Sequence, residues 1–186
     1  MWDYTDKVKE HFLNAKNVGE LKGANAIGEA GSLNCGDALK LFMKIDDNGK
    51  IIDASFMTFG CASAVASSSA LTEMIKGKSI DEASKITNDD ISDYLDGLPK
   101  EKMHCSVMGQ SALKKAIADY KGIPILEKKG EIVCECFEVT DLEIIDIVKD
   151  KGIKTVEIVT DHLKAGGGCG ACIEKIEELI KSVQKT

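Results

Sequence analysis

Two alternating stretches joined by an Asn-Gly turn constrain this chain more than any other feature. From Ala38 to Ile45, Leu39, Leu41, Met43 and Ile45 alternate with Lys40, Phe42 and Lys44, the period of a strand with one buried face. Asp46-Asp47-Asn48-Gly49 follows, and Asn-Gly supplies the positive φ angles that a tight hairpin needs. A second strand is expected over Ile51–Phe59, with Ile52, Ala54, Phe56 and Thr58 on one side. After Gly60 come Cys61 and a run of small residues through Ser69, leading into Leu71, Met74 and Ile75 at helical spacing. Cys61 therefore stands where a strand hands over to a helix. There, free backbone N–H groups and the helix dipole favour thiolate over thiol. Cys35 lies at the start of the first strand and Cys61 just past the end of the second, and in an antiparallel pair those ends are neighbours. A single cysteine in such a place is most often a small buried hydrophobe. Two brought together by topology are not explained that way.

The flanking segments complete an α+β pattern. Residues 6–14 place Val8, Phe12 and Leu13 on one helical face, with His11 read as a plain surface residue. Gly19, Gly23, Gly28 and Gly31 punctuate a loop and a short strand around Ala26 and Ile27, the third strand of a small antiparallel sheet. The helix after Cys61 is expected to run to about Lys76 and stop at Gly77. Two short helices are expected over 79–86 and 88–95, opening at Ser79-Ile80-Asp81-Glu82 and at Asn88. Leu98-Pro99 breaks the chain. A longer helix then begins near His104-Cys105-Ser106, with Val107, Leu113, Ile117 and Tyr120 on one face. Cys35, Cys61 and Cys105 thus all stand at element ends, where backbone donors face outward. Core filling does not account for that repetition.

Residues 121–130 interrupt the pattern with Gly-Ile-Pro and Glu-Lys-Lys-Gly, so a domain boundary is expected there, giving domains 1–125 and 126–186. The second reads as a small all-α domain. Thr140-Asp141-Leu142-Glu143 is a capping box opening a helix that ends at Gly152, and a shorter helix is expected over 156–163. An amphipathic helix closes the chain, with Ile173, Ile176, Leu179, Ile180 and Val183 on one side. Its cysteines form two close pairs, Cys134-Glu135-Cys136 and Cys169-Gly170-Ala171-Cys172. Four thiolates meet the demand of either zinc or a 2Fe–2S cluster. The C-x-C pair is less usual for structural zinc, which favours iron–sulfur. Gly166-Gly167-Gly168 lets the backbone approach sulfide without Cβ clashes and exposes N–H donors to cluster sulfurs. A thioredoxin-like reading of Cys169 and Cys172 is weaker, because no βαβ unit precedes them.

Composition removes several function classes. The net charge is −7 and all 24 basic residues are lysine, so there is no bidentate phosphate clamp and no basic patch for nucleic acid. No apolar run approaches bilayer length and the start carries no signal pattern. A cytoplasmic protein with no membrane contact is expected. Seven cysteines in that setting argue for metal or redox chemistry over a disulfide framework.

Several stretches carry a family resemblance. Lys16-Asn17-Val18-Gly19, Cys35-Gly36-Asp37, the segment 59–69 (Phe-Gly-Cys-Ala-Ser-Ala-Val-Ala-Ser-Ser-Ser), Lys76-Gly77-Lys78-Ser79 and His104-Cys105-Ser106 resemble the IscU/NifU N-terminal scaffold domain along residues 1 to about 122. The four cysteines of 134–172 with their glycine run resemble the small helical 2Fe–2S domain shared with bacterioferritin-associated ferredoxin. The two in this order resemble the NifU-type iron–sulfur cluster assembly scaffolds. The resemblance implies a non-enzymatic scaffold that accepts persulfide sulfur from a cysteine desulfurase at Cys35, Cys61 or Cys105. Iron would bind the same thiolates, and the cluster would pass to apo-acceptor proteins. It implies that Asp37 keeps the transient cluster labile, with His104 as a further candidate ligand, and that the protein forms a homodimer. It also implies a permanent 2Fe–2S cluster on Cys134, Cys136, Cys169 and Cys172 with a redox role. Two departures stand out. The chaperone signal Leu-Pro-Pro-Val-Lys of the IscU branch reads Leu98-Pro99-Lys100-Glu101-Lys102 here. Many NifU proteins continue into a further domain with its own C-x-x-C pair, and the present sequence stops at Thr186. Two other readings fit the residues: a zinc-binding regulator of the desulfurase, since three cysteines with Asp37 or His104 suit tetrahedral zinc, and a simple 2Fe–2S electron carrier.

Overall fold

The expected hairpin is the centre of the first part of the molecule. In the computed structural model, which describes residues 3–31, 36–124 and 128–184, strands β2 (Ala38–Ile45) and β3 (Ile51–Phe59) pair antiparallel. Strand β1 (Ala26–Gly31) pairs antiparallel with β2, giving the order β1-β2-β3. Leu39, Leu41, Met43 and Ile45 are buried as the alternation requires, together with Ala26, Ala30, Ala54 and Phe56 from the neighbouring strands. The register of β3 against β2 shifts in one place. Ile45 pairs with Ile51 while Lys44 pairs with Asp53, so Ile52 is the extra residue of a bulge. Ile51 is fully buried and Ile52 is 49% exposed, the reverse of the expected phase.

Helix α2 (Ala62–Ile75) follows β3 directly, and its Ala64, Leu71 and Ile75 join the buried side of the sheet. Helix α5 (Met103–Lys121), preceded by a single 3₁₀ turn over Lys100–Lys102, adds Met108, Ala112, Leu113 and Ala116. A Cβ on Gly28 would overlap the Ala112 carbonyl oxygen, so β1 and α5 approach with bare backbone between them. The free edge of β3 is covered by the loop ahead of β1: Phe56 N–H donates to Asn17 O and Gly19 N–H to Phe56 O, at 2.9 and 2.8 Å. That pairing blunts an edge otherwise open to other strands.

Helix α1 (Asp6–Leu13) lies on α2 with a face different from the expected one. Val8 and His11 are buried, whereas Phe12 is 45% and Leu13 74% exposed. His11 is therefore an interior residue: its Nδ1 lies 2.9 Å from Ser69 Oγ. The face of α2 beneath it is made of alanine and serine, so a polar ring finds a partner there. Between α2 and α5 stand the short helices α3 (Ile80–Ala83) and α4 (Asn88–Tyr94). Ser79 and Glu82 form the expected capping box. The cap of α4 is Thr87 with Asp90, one residue before Asn88.

The chain divides into two compact units, residues 1–99 with 105–125 and residues 126–186 with 100–104. The second unit is helical. Helix α6 (Asp141–Lys151) opens at the Thr140–Glu143 capping box and ends at Gly152, whose φ of 63° is the left-handed turn that glycine provides. Helices α7 (Val156–Leu163) and α8 (Ile173–Gln184) complete it, with Ile144, Val148, Val159, Ile176 and Ile180 buried together. A short ribbon, β4 (Ile132–Cys134) with β5 (Val139–Thr140), brackets the Cys134–Cys136 segment. Among the described residues no helix is long and apolar enough to cross a membrane.

Candidate functional site

The strand register assembles the first site. Ala38 is opposite Phe59, so Asp37 and Gly60, the next residues outward on the two strands, face each other. Cys61 is the N-cap of α2, in extended conformation (φ −75°, ψ 173°), and its side chain makes no capping hydrogen bond. Cys105 comes from the first turn of α5 and is buried, at 1% exposure. The Cys61 and Cys105 sulfurs lie 3.7 Å apart, and Cys105 Sγ lies 3.9 Å from Asp37 Oδ2. Asp37 is itself buried. Its carboxylate, the His104 imidazole and the Cys105 thiol bring their ligand atoms within 4.8 Å of one another. Cys35, the remaining expected ligand, lies outside the described residues.

Space at this site is made by glycine. A Cβ on Gly60 would stand 2.7 Å from Asp37 Cγ, 2.9 Å from Asp37 Oδ1 and 3.0 Å from Ala64 Cβ. The sequence reading gives Gly60 no part; the signal open to it was a glycine set between a β-strand and a helix where no tight turn requires one.

The second site draws on the β4–β5 segment and the loop before α8. Cys134, Cys136 and Cys172 are buried and Cys169 is exposed. Cys136 Sγ lies 3.3 Å from Cys169 Sγ, and Cys134 is hydrogen-bonded to both Cys136 and Cys172. All four sulfurs therefore belong to one network. Its members are unequal. The hydrogen bond from Cys134 holds the Cys172 thiol down at about 7, while the hydrogen bond with Cys134, helped by burial, pushes Cys136 up to about 11. The Gly166 N–H donates to Cys134 and Cys172, favouring their thiolates. A Cβ on Gly168 would stand 2.9 Å from Cys136 Cβ and 3.0 Å from its sulfur. Convergent thiols, an inward N–H donor and a glycine wall against one sulfur suit a four-thiolate cluster.

Thiols, a carboxylate and an imidazole at one place, with four more thiols at another, are donor types that suit soft or borderline metals such as iron and zinc. Comparison narrows the class. Residues 3–127 match the NifU-like N terminal domain, and residues 132–182 match the BFD-like 2Fe-2S binding domain. The chain belongs to the NifU-like N-terminal domain family. It is similar to the "Nitrogen fixation protein NifU" of Trichormus azollae, 52% identical over 196 residues that cover all of this chain and 65% of the relative. It is also similar to the "Iron-sulfur cluster assembly scaffold protein IscU 1" of Archaeoglobus fulgidus, 51% identical over 129 residues, 69% of this chain and 80% of the relative. In fold, the first part resembles the crystal structure of a NifU-like protein (N-terminal) from Brucella abortus, with a TM-score of 0.55 at 19% identity, over 63% of this chain and 94% of that one. The chain spans slightly less than two thirds of the length of the NifU relatives it matches.

Proposed function

We propose that this chain is a scaffold, and not itself an enzyme, on which a labile iron–sulfur cluster is built and then handed on. A cysteine desulfurase supplies sulfane sulfur as persulfide, a thiol or single-electron donor reduces it by two electrons to sulfide, and iron and sulfide are cargo held by Cys35, Cys61 and Cys105. Asp37 is the exchangeable ligand, and His104 is a second donor beside it. Apo-acceptor proteins receive the cluster, and the working form is a homodimer. The observation that carries this reading is the meeting of Cys61, Cys105 and the buried Asp37 carboxylate at the joined ends of β2, β3, α2 and α5, in a member of this family. Fewer thiolates and one oxygen ligand make a site that releases a cluster more readily than four thiolates do. The domain boundary falls at 125/126. In the second domain, Cys134, Cys136, Cys169 and Cys172 hold a resident 2Fe–2S cluster, which when bound supplies single electrons.

Anaerobic absorption spectra test this. Cys169→Ala with Cys172→Ala is expected to remove the stable chromophore of the purified protein. A second, labile chromophore should still form when desulfurase, cysteine and iron are added. Adding Cys61→Ala should abolish it. A labile chromophore that survives Cys61→Ala undiminished, or that never forms, overturns the scaffold reading.

A further inference from the structure

We propose that Gly60 is a positioning residue for the transient site: its missing side chain sets the Asp37 carboxylate against Cys105 and so tunes how readily the site lets go of metal. This deepens the scaffold reading and rests on it. The backbone at Gly60 does not lie in the left-handed region, unlike Gly36, Gly49 or Gly77, so conformation does not require glycine there. Space does. An added Cβ would sit 2.7 Å from Asp37 Cγ and 2.9 Å from its Oδ1, distances at which something must move. Ala64 Cβ also stands 3.0 Å away, in the first turn of α2 and fully buried. The helix cannot yield without disturbing the core beneath the sheet. The carboxylate is the part that gives. It ends a short side chain, and it is held only 3.9 Å from Cys105 Sγ. Any side chain at position 60 therefore drives the oxygen ligand away from the thiols, leaving Cys61 and Cys105 in place.

That geometry separates Gly60 from a residue that merely maintains the fold. A structural defect would weaken every species bound at the site. Moving only the oxygen ligand has opposite effects on two of them: a zinc ion loses a donor, whereas a cluster loses the ligand that makes it exchangeable. The test uses the full chain with its second-domain cluster in place, as wild type, Gly60→Ala, Asp37→Ala and the double variant. Zinc affinity is read by competition with a chromophoric chelator, and cluster lifetime by transfer to an apo 2Fe–2S ferredoxin. Gly60→Ala is expected to weaken zinc about tenfold, as loss of a supporting contact at a metal site does, and to lengthen the transfer half-life in the same direction as Asp37→Ala. The double variant should match Asp37→Ala alone, because residues acting through one another are not additive. Thermal melting provides a third readout: Gly60→Ala should lower Tm in the wild-type background and much less in the Asp37→Ala background, where the obstructing atoms are gone. Additive effects, a shortened cluster lifetime, or unchanged zinc affinity overturn the proposal. If wild type builds no labile cluster, the scaffold reading fails, while the zinc and melting cycles still decide the role of Gly60.

Discussion

His11 shows how far one side chain can depart from its own helix pattern. Its ring is buried between Ser69 Oγ, 2.9 Å from Nδ1, and Glu73, whose carboxylate lies 3.7 Å from Nε2. It also meets Tyr94 edge-on, with 5.7 Å between ring centres. The Ser69 hydroxyl accepts a further bond from the Lys16 N–H at 2.9 Å, so one hydroxyl ties α1, the loop after it and α2 together. His11→Ala takes a partner from the buried Ser69 hydroxyl and leaves the space of the ring empty between α1 and α2. It is expected to cost about 2 kcal/mol, a fall of roughly 6 °C in the first-unit Tm. An unchanged Tm would return His11 to the surface role that the sequence pattern suggests. The reason the pattern misleads is specific. Amphipathic reading assumes an oily dock, and it aligned Val8 with Phe12 and Leu13; α2 offers Ala66, Ser69 and Ala70, all fully buried, which a histidine satisfies better than a phenylalanine. The nearness of Cys61 to the start of β2 was legible for the opposite reason, since hairpin ends meet whatever packs around them, whereas Asp37 came only with the family resemblance.

At the scale of elements, the meeting of β1 with α5 depends on Gly28 and on nothing that a side chain can compensate. A Cβ there would overlap backbone atoms of Ala112 and Ala116, both in a helix interior that is fully buried. Relief comes from parting β1 and α5, and α5 carries Cys105. Gly28→Ala is therefore expected to lose about 3 kcal/mol in urea unfolding and to weaken zinc or cluster binding at the same time. Ala112→Gly should not rescue it, because the obstructing atom is a carbonyl oxygen. Rescue by Ala112→Gly, or a stability loss with binding intact, would mean that the helix is not the element displaced. Strand limits and helix order were legible because alternation and capping signals are local. The bulge at Ile52 was not. Ile51-Ile52 satisfies either phase of a strand, and only the pairing of Ile45 with Ile51 chooses between them. Contacts of backbone with backbone, such as Gly28 on α5, leave no periodic trace at all.

The two units differ most in what holds them together. The first buries a core of ordinary aliphatic residues beneath its sheet. Among its described residues the second has a small core in which Cys134, Cys136 and Cys172 are three of eleven buried members, so much of its interior is thiol. A unit of about 60 residues stabilises itself poorly without a metal or another staple, and metal-binding energy becomes folding energy when the site exists only in the fold. Without its cluster the second unit should unfold separately and at a lower temperature than the first. The thiols add a pH dependence with a definite sign. Cys172 is depressed from the ordinary value of 9.0 to about 7, so its contribution is full above 9 and is lost as pH falls through 7. Cys136 is raised from 9.0 to about 11, so its contribution is full below 9 and is lost as pH rises through 11. The cluster-free second unit is therefore expected to be most stable near pH 9, melting earlier on either side. Calorimetry of the reduced, cluster-free full chain between pH 6 and 11 reads this directly, as a lower transition whose midpoint passes through a maximum while the upper transition stays separate. A single cooperative transition, or a lower midpoint that falls steadily from pH 6 upward, would show that the thiol network does not hold this unit together.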